Sequence, residues 1–80
     1  MPTVLRVGPY QLGSWSRENN EPPPVHVRRD RCVAKYWLEP NVEFADNIGF
    51  AVHELTQIRR IVIEYRDRLL EAWNDHFGKR

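Results

Sequence analysis

Cysteine and long apolar runs are what this sequence has least of. A single cysteine, Cys32, occurs in 80 residues. That excludes a disulfide within the chain and suits a reducing compartment, so a cytoplasmic location is expected. No Cys-x-x-Cys or His-x-x-x-His pair is present, so neither a metal site nor any other cofactor is expected. No stretch approaches the ~20 apolar residues that a membrane helix needs. The opening run Met1-Pro2-Thr3-Val4-Leu5-Arg6-Val7 has no basic region leading into a long apolar one, so no signal peptide is expected. Charge of one sign is also missing. Twelve basic residues against eleven acidic ones leave a net charge of +1, too little to imply nucleic-acid binding on its own.

Eighty residues suggest one small domain over positions 1–80. A chain of this size buries only roughly 60–65% of the surface that its unfolded form exposes, so its core is marginal. Small domains add disulfides, a metal or a second subunit. With the first two set aside, a protein partner or a homo-oligomer gains weight by elimination.

The apolar period changes once, near residue 50, from two to about 3.6. Residues 3–7 are short and β-branched, a first strand. Gly8-Pro9 is turn chemistry, and residues 10–16 pair back as a second strand that Gly13 weakens. Three prolines, Pro22, Pro23 and Pro24, stiffen the approach to residues 25–28. Those residues and 31–38 read as a hairpin turning at Arg29-Asp30, with Arg28 facing Arg31, His26 facing Val33 and Pro24 facing Lys35. Alternation puts Val25, Val27, Cys32, Ala34, Tyr36 and Leu38 on one face, the core side. It puts His26, Arg28, Val33, Lys35 and Trp37 on the other. Residues 42–45 are a short fifth strand, and Asp46-Asn47-Ile48-Gly49 a turn.

One helix fits residues 52–77 without an internal Gly or Pro, and Gly78 follows it. Its main stripe is Leu55, Ile58, Val62, Tyr65, Leu69 and Trp73, flanked by Ile61 and Ala72. The expected fold is α+β: an antiparallel sheet of four to five short strands packed against one long C-terminal helix. Ile63, Leu70 and Phe77 recur every seven residues to one side of that stripe, interleaved with Arg59 and Arg66. They either cap the core edge or form a docking seam for a second chain.

Two further groups carry chemistry. His26 exchanges protons near neutrality, and with Arg28 and Lys35 on its face it is a candidate to attack or protonate a phosphodiester. A plain exposed strand histidine is the alternative. Arg28, Arg29, Arg31 and Lys35, joined by Trp37 and Trp15, make a cation-and-aromatic surface of the kind that holds single-stranded RNA. The bland alternative is a solvated hairpin whose charges discourage edge pairing. Glu54 is the next acid–base candidate, or a residue that compensates the helix dipole.

These segments also carry a resemblance. Met-Pro-Thr-Val-Leu-Arg-Val-Gly-Pro-Tyr at the start, residues 18–29, Ala34-Lys35-Tyr36-Trp37-Leu38, Gly49-Phe50 with Glu54-Leu55, and Leu70-Glu71-Ala72-Trp73-Asn74 together resemble a small bacterial family known as DUF4160, a domain of unknown function. The resemblance spans nearly the whole chain. It implies a partner encoded by a neighbouring gene and a place in a toxin–antitoxin module. The family's usual Pro-Pro-His-Val-His-Val run is altered here: Pro24 stands where the first histidine would be, and His26 holds the place of the second. If the paired histidines act together, this chain keeps half of the pair.

The function expected from these readings is a cytoplasmic toxin component of a two-gene module, acting through protein contacts and RNA. The alternatives are a metal-independent ribonuclease using His26, Arg28 and Lys35, and a non-catalytic structural adaptor.

Overall fold

The computed structural model describes residues 3–13 and 22–77. Five antiparallel strands lie side by side in chain order: β1 (Thr3–Val7), β2 (Tyr10–Gly13), β3 (Pro24–Arg29), β4 (Cys32–Trp37) and β5 (Glu43–Ile48). This is the connectivity that short turns between neighbours produce. Gly8, at φ +55°, supplies the left-handed residue of the β1–β2 turn. β3 opens with Pro24, opposite Trp37 of β4, at the first position of the strand, where proline is tolerated.

Alternation sorts the sheet's two faces as expected. Val25, Val27, Ala34, Tyr36 and Leu38 are buried beneath the helical layer, together with Leu12. From that layer Ile58, Val62 and Leu69 enter the same cluster, with Leu55, Ile61 and Tyr65 packed around it and Trp73 buried beyond them. The helical stripe read from the 3.6-residue period is therefore the core stripe.

Three boundaries differ from the sequence reading. The hairpin turns at Asp30-Arg31, with Asp30 at φ +56°. Aspartate accepts that left-handed conformation more readily than arginine does, and the shift moves the partner of every β3 residue by two positions along β4. Both registers keep the same face assignments. The fifth strand runs on to Ile48, because an irregularity opposite Lys35/Tyr36 leaves Ala45 without a cross-strand partner and lets pairing resume at Asp46. The corner then falls at Gly49, where φ is +95° and a Cβ would come within 2.8 Å of Cys32 Sγ. Asn47 braces this corner, donating from Nδ2 to Phe50 O at 3.0 Å and accepting the Phe50 N–H at 3.1 Å.

The third difference is the helix. It is divided into α1 (Val52–Glu64) and α2 (Arg66–Phe77) by Tyr65, at φ −103° and ψ 14°. No Gly or Pro marks the break. Tertiary bonds do: Arg66 donates through Nε to Leu38 O at 2.7 Å and through a terminal nitrogen to Pro40 O at 3.4 Å. This ties the first residue of α2 to the β4–β5 connection. Helical bonding carries on across the junction, from Tyr65 N–H to Ile61 O and from Leu69 N–H to Tyr65 O.

Candidate nucleic-acid interface

The cross-strand register lays out the sheet face turned away from the helices in rows. One row is Arg6, Gln11, Arg28, Val33 and Ile48; the next is Gly13, His26, Lys35 and Asp46; Trp37 and Glu43 follow. Among the described residues, no strand or helix covers this face. The actual hairpin register puts Lys35, not Val33, opposite His26. Lys35 Nζ sits over the Trp37 ring, 4.5 Å from its centroid, a favourable seat for an ammonium on an indole face. Arg28 is exposed, while His26, Lys35 and Trp37 are half-buried.

Burial first, then the Lys35 and Arg28 charges, lower the His26 pKa. Each of these disfavours the imidazolium. The ring is thus neutral at neutral pH, able to accept a proton there and poor at giving one.

Arg28, His26, Lys35 and Trp37 are brought together; Arg29 and Arg31 are not among them. Arg31 lies in the hairpin turn, exposed. Arg29 points to the helical side, where its guanidinium forks onto Glu54: Nε donates to Oε2 at 2.9 Å and a terminal nitrogen to Oε1 at 3.0 Å. The Tyr10 hydroxyl donates to the same Oε2 at 2.8 Å, and the guanidinium lies 5.5 Å from the Phe50 ring centre. Glu54 therefore clamps the start of α1 to β2 and β3 rather than facing a substrate. Trp15 lies outside the described residues.

Of the candidate docking residues, Arg59 and Ile63 are exposed and Arg66 is tied to the β4–β5 connection. Leu70 is packed against the core cluster, so it belongs to the capping of the core edge. The side chain of Phe77 is outside what the structure describes.

The sequence reading missed the two carboxylates on the outer face, Glu43 and Asp46. In the sequence Asp46 reads as a turn residue, because the extra residue at Ala45 breaks the alternation that would identify a longer strand.

The Arg29 guanidinium, then the Tyr10 hydroxyl, hold the Glu54 carboxyl below its ordinary value of 4.5. The folded state thus binds fewer protons than the unfolded chain in that range. The clamp's contribution is complete above pH 4.5 and is lost as pH falls through the lower folded value. His26 adds a separate window. Its folded pKa lies below 6.5, so the unfolded chain takes up the proton first and stability declines from about pH 6.5 down to the folded value. Denaturant melts between pH 8 and pH 2 are expected to show both declines (pH limits roughly those set by the titrating groups). Glu54→Gln should remove the acidic decline and His26→Gln the one nearer neutrality; parallel curves for all three proteins would contradict the assignment.

Taken together these features define a small α+β domain with a helical layer on one face of its sheet and, among the described residues, no strand or helix on the other. The family model for a domain of unknown function, DUF4160, matches residues 12–74, most of the chain, and the protein belongs to that family. No curated protein and no solved structure matches it. Among the described residues no group of three or more His, Cys, Asp or Glu side chains could hold a metal ion, and no helix is long and apolar enough to cross a membrane.

Proposed function

We propose that this protein is the RNA-binding toxin component of a two-gene module and that it holds single-stranded RNA across the sheet face turned away from the helices. The observation that carries this reading is the group formed by Lys35 over the Trp37 ring, His26 directly across from Lys35, and Arg28 two residues along β3. An indole face accepts any base, while cations beside it follow the phosphates, a combination suited to single strands. Glu43 and Asp46 repel phosphates from the β5 side, which confines the path to β1 through β4.

The test is binding of a short single-stranded RNA over a range of salt. Two to three neutralised phosphates, from Arg28, Lys35 and Arg6, give a slope of log K against log salt of roughly −1.4 to −2.1. Affinity that ignores salt, or a preference for duplex, would refute the interface. Expression without the companion gene should arrest growth; normal growth would remove the toxin assignment and favour a structural adaptor.

A second reading has its own support in the lowered His26 pKa. A neutral imidazole could take the proton of a ribose 2′-hydroxyl as it attacks the adjacent phosphorus, while Arg28 and Lys35 stabilise the charge and water protonates the departing 5′-oxygen. His26→Ala separates the readings, since binding alone survives it and cleavage does not.

A further inference from the structure

The β5 edge has two chemically different sides. The strand is last in the sheet, so one row of its backbone groups has no neighbouring strand among the described residues. Glu43 and Asp46 are exposed on the outer face. On the helical side a groove of about 620 Å³ runs between the chain at Pro40, Asn41 and Val42, with Glu43 at its border, and a helical surface made by Arg59, Ile63 and Arg66. Those three positions, spaced four and then three apart, form one stripe across the α1–α2 junction. Ile63 is 47% exposed, and Phe44, whose ring meets Tyr36 edge-on, is 52% exposed. Apolar surface is thus left open where cations border it, and carboxylates stand just across the strand.

We propose that β5 receives an extended segment of a different protein, which adds as a sixth strand. Its side chains alternate between basic residues over Glu43 and Asp46 and apolar or acidic residues over the groove. Backbone pairing supplies the common affinity, and the alternation supplies the choice of partner. A second copy of this chain does not meet the requirement. Antiparallel pairing of β5 with itself would gather Glu43 and Asp46 of both copies on one face and bring the Arg59-bearing grooves together on the other, like charge against like. The unpaired Ala45 and the two carboxylates also resist indiscriminate edge pairing, the usual protection of an exposed strand. The inference does not rest on RNA binding, whose side chains lie on β1, β3 and β4.

Two synthetic peptides and the isotope-labelled full chain test it. One peptide alternates lysine with leucine and glutamate; the other exchanges the charges, placing glutamate where lysine stood and lysine where glutamate stood. The first is expected to shift backbone amide resonances of residues 43–48 and 59–66 and to bind at least about tenfold more tightly than the second. Arg59→Glu, on the exposed helix face, should reverse that preference while leaving RNA affinity and its salt slope intact. Equal affinity for the two peptides, absence of shifts up to the solubility limit, or shifts centred on residues 26–37 would each overturn the proposal. So would concentration-dependent self-association that shifts residues 43–48 without peptide.

Discussion

Ile58→Ala is expected to melt well below the parent, whereas Ile63→Ala is expected to melt like it. The two isoleucines lie five residues apart on one helix, but Ile58 is 0% exposed and touches the sheet core while Ile63 is 47% exposed. Truncating a buried isoleucine removes transferred apolar surface and leaves a cavity, a cost of about 2–5 kcal/mol. A domain of this length has a total stability on the order of 4–12 kcal/mol. Its one helical layer provides few other anchors: among the described residues, Val62, Leu69 and Trp73 are the remaining buried helical positions. At roughly 4–8 °C for each kcal/mol, the Ile58 midpoint should fall by more than about 10 °C. The exposed substitution should stay within about 0.5 kcal/mol of neutral, helped by alanine's better helix propensity. Thermal unfolding followed by circular dichroism measures both. A large loss for Ile63→Ala would mean that its side chain is covered in solution, and equal losses would mean that the helical face is misassigned.

The same residues explain what could be read in advance. Two face assignments depend only on parity, so they survived an error in the turn position: moving the turn from Arg29-Asp30 to Asp30-Arg31 changed every pairing but left Val25, Val27 and Ala34 inside and His26 and Lys35 outside. The helical stripe was legible because burial follows its period. The break at Tyr65 was not, since it coincides with Arg66 reaching the carbonyls of Leu38 and Pro40, a contact 28 and 26 residues back in the chain. The Tyr10–Glu54–Arg29 clamp was hidden for the same reason. Glu54 near a helix start has a local explanation, compensation of the dipole, and only the fold places Arg29 and the Tyr10 hydroxyl against it. Charge counting grouped Arg29 with Arg28 because they are neighbours in sequence, although adjacent residues of a strand face opposite ways.

Trp37→Ala is expected to weaken binding of single-stranded RNA by roughly five- to 150-fold, the effect of losing one stacked base at about 1–3 kcal/mol. The salt slope should stay unchanged, because no phosphate contact is lost. Lys35→Ala should do the opposite in kind, making the slope less negative by about 0.7 as one phosphate contact disappears. The two effects should not add, because Lys35 Nζ rests over the Trp37 ring and each residue sets the other's position. The double variant is therefore expected to bind better than the product of the single losses predicts, and Trp37→Phe should recover much of the affinity by restoring an aromatic face. Both side chains are half-buried on the face away from the core cluster, so these variants should retain the parent's unfolding midpoint far more closely than Ile58→Ala does. Fluorescence anisotropy of a labelled oligonucleotide at several salt concentrations yields affinity and slope in one experiment. Unchanged affinity for Trp37→Ala, with the fold intact, would show that the indole serves only as a platform for Lys35 and that RNA does not stack on this sheet.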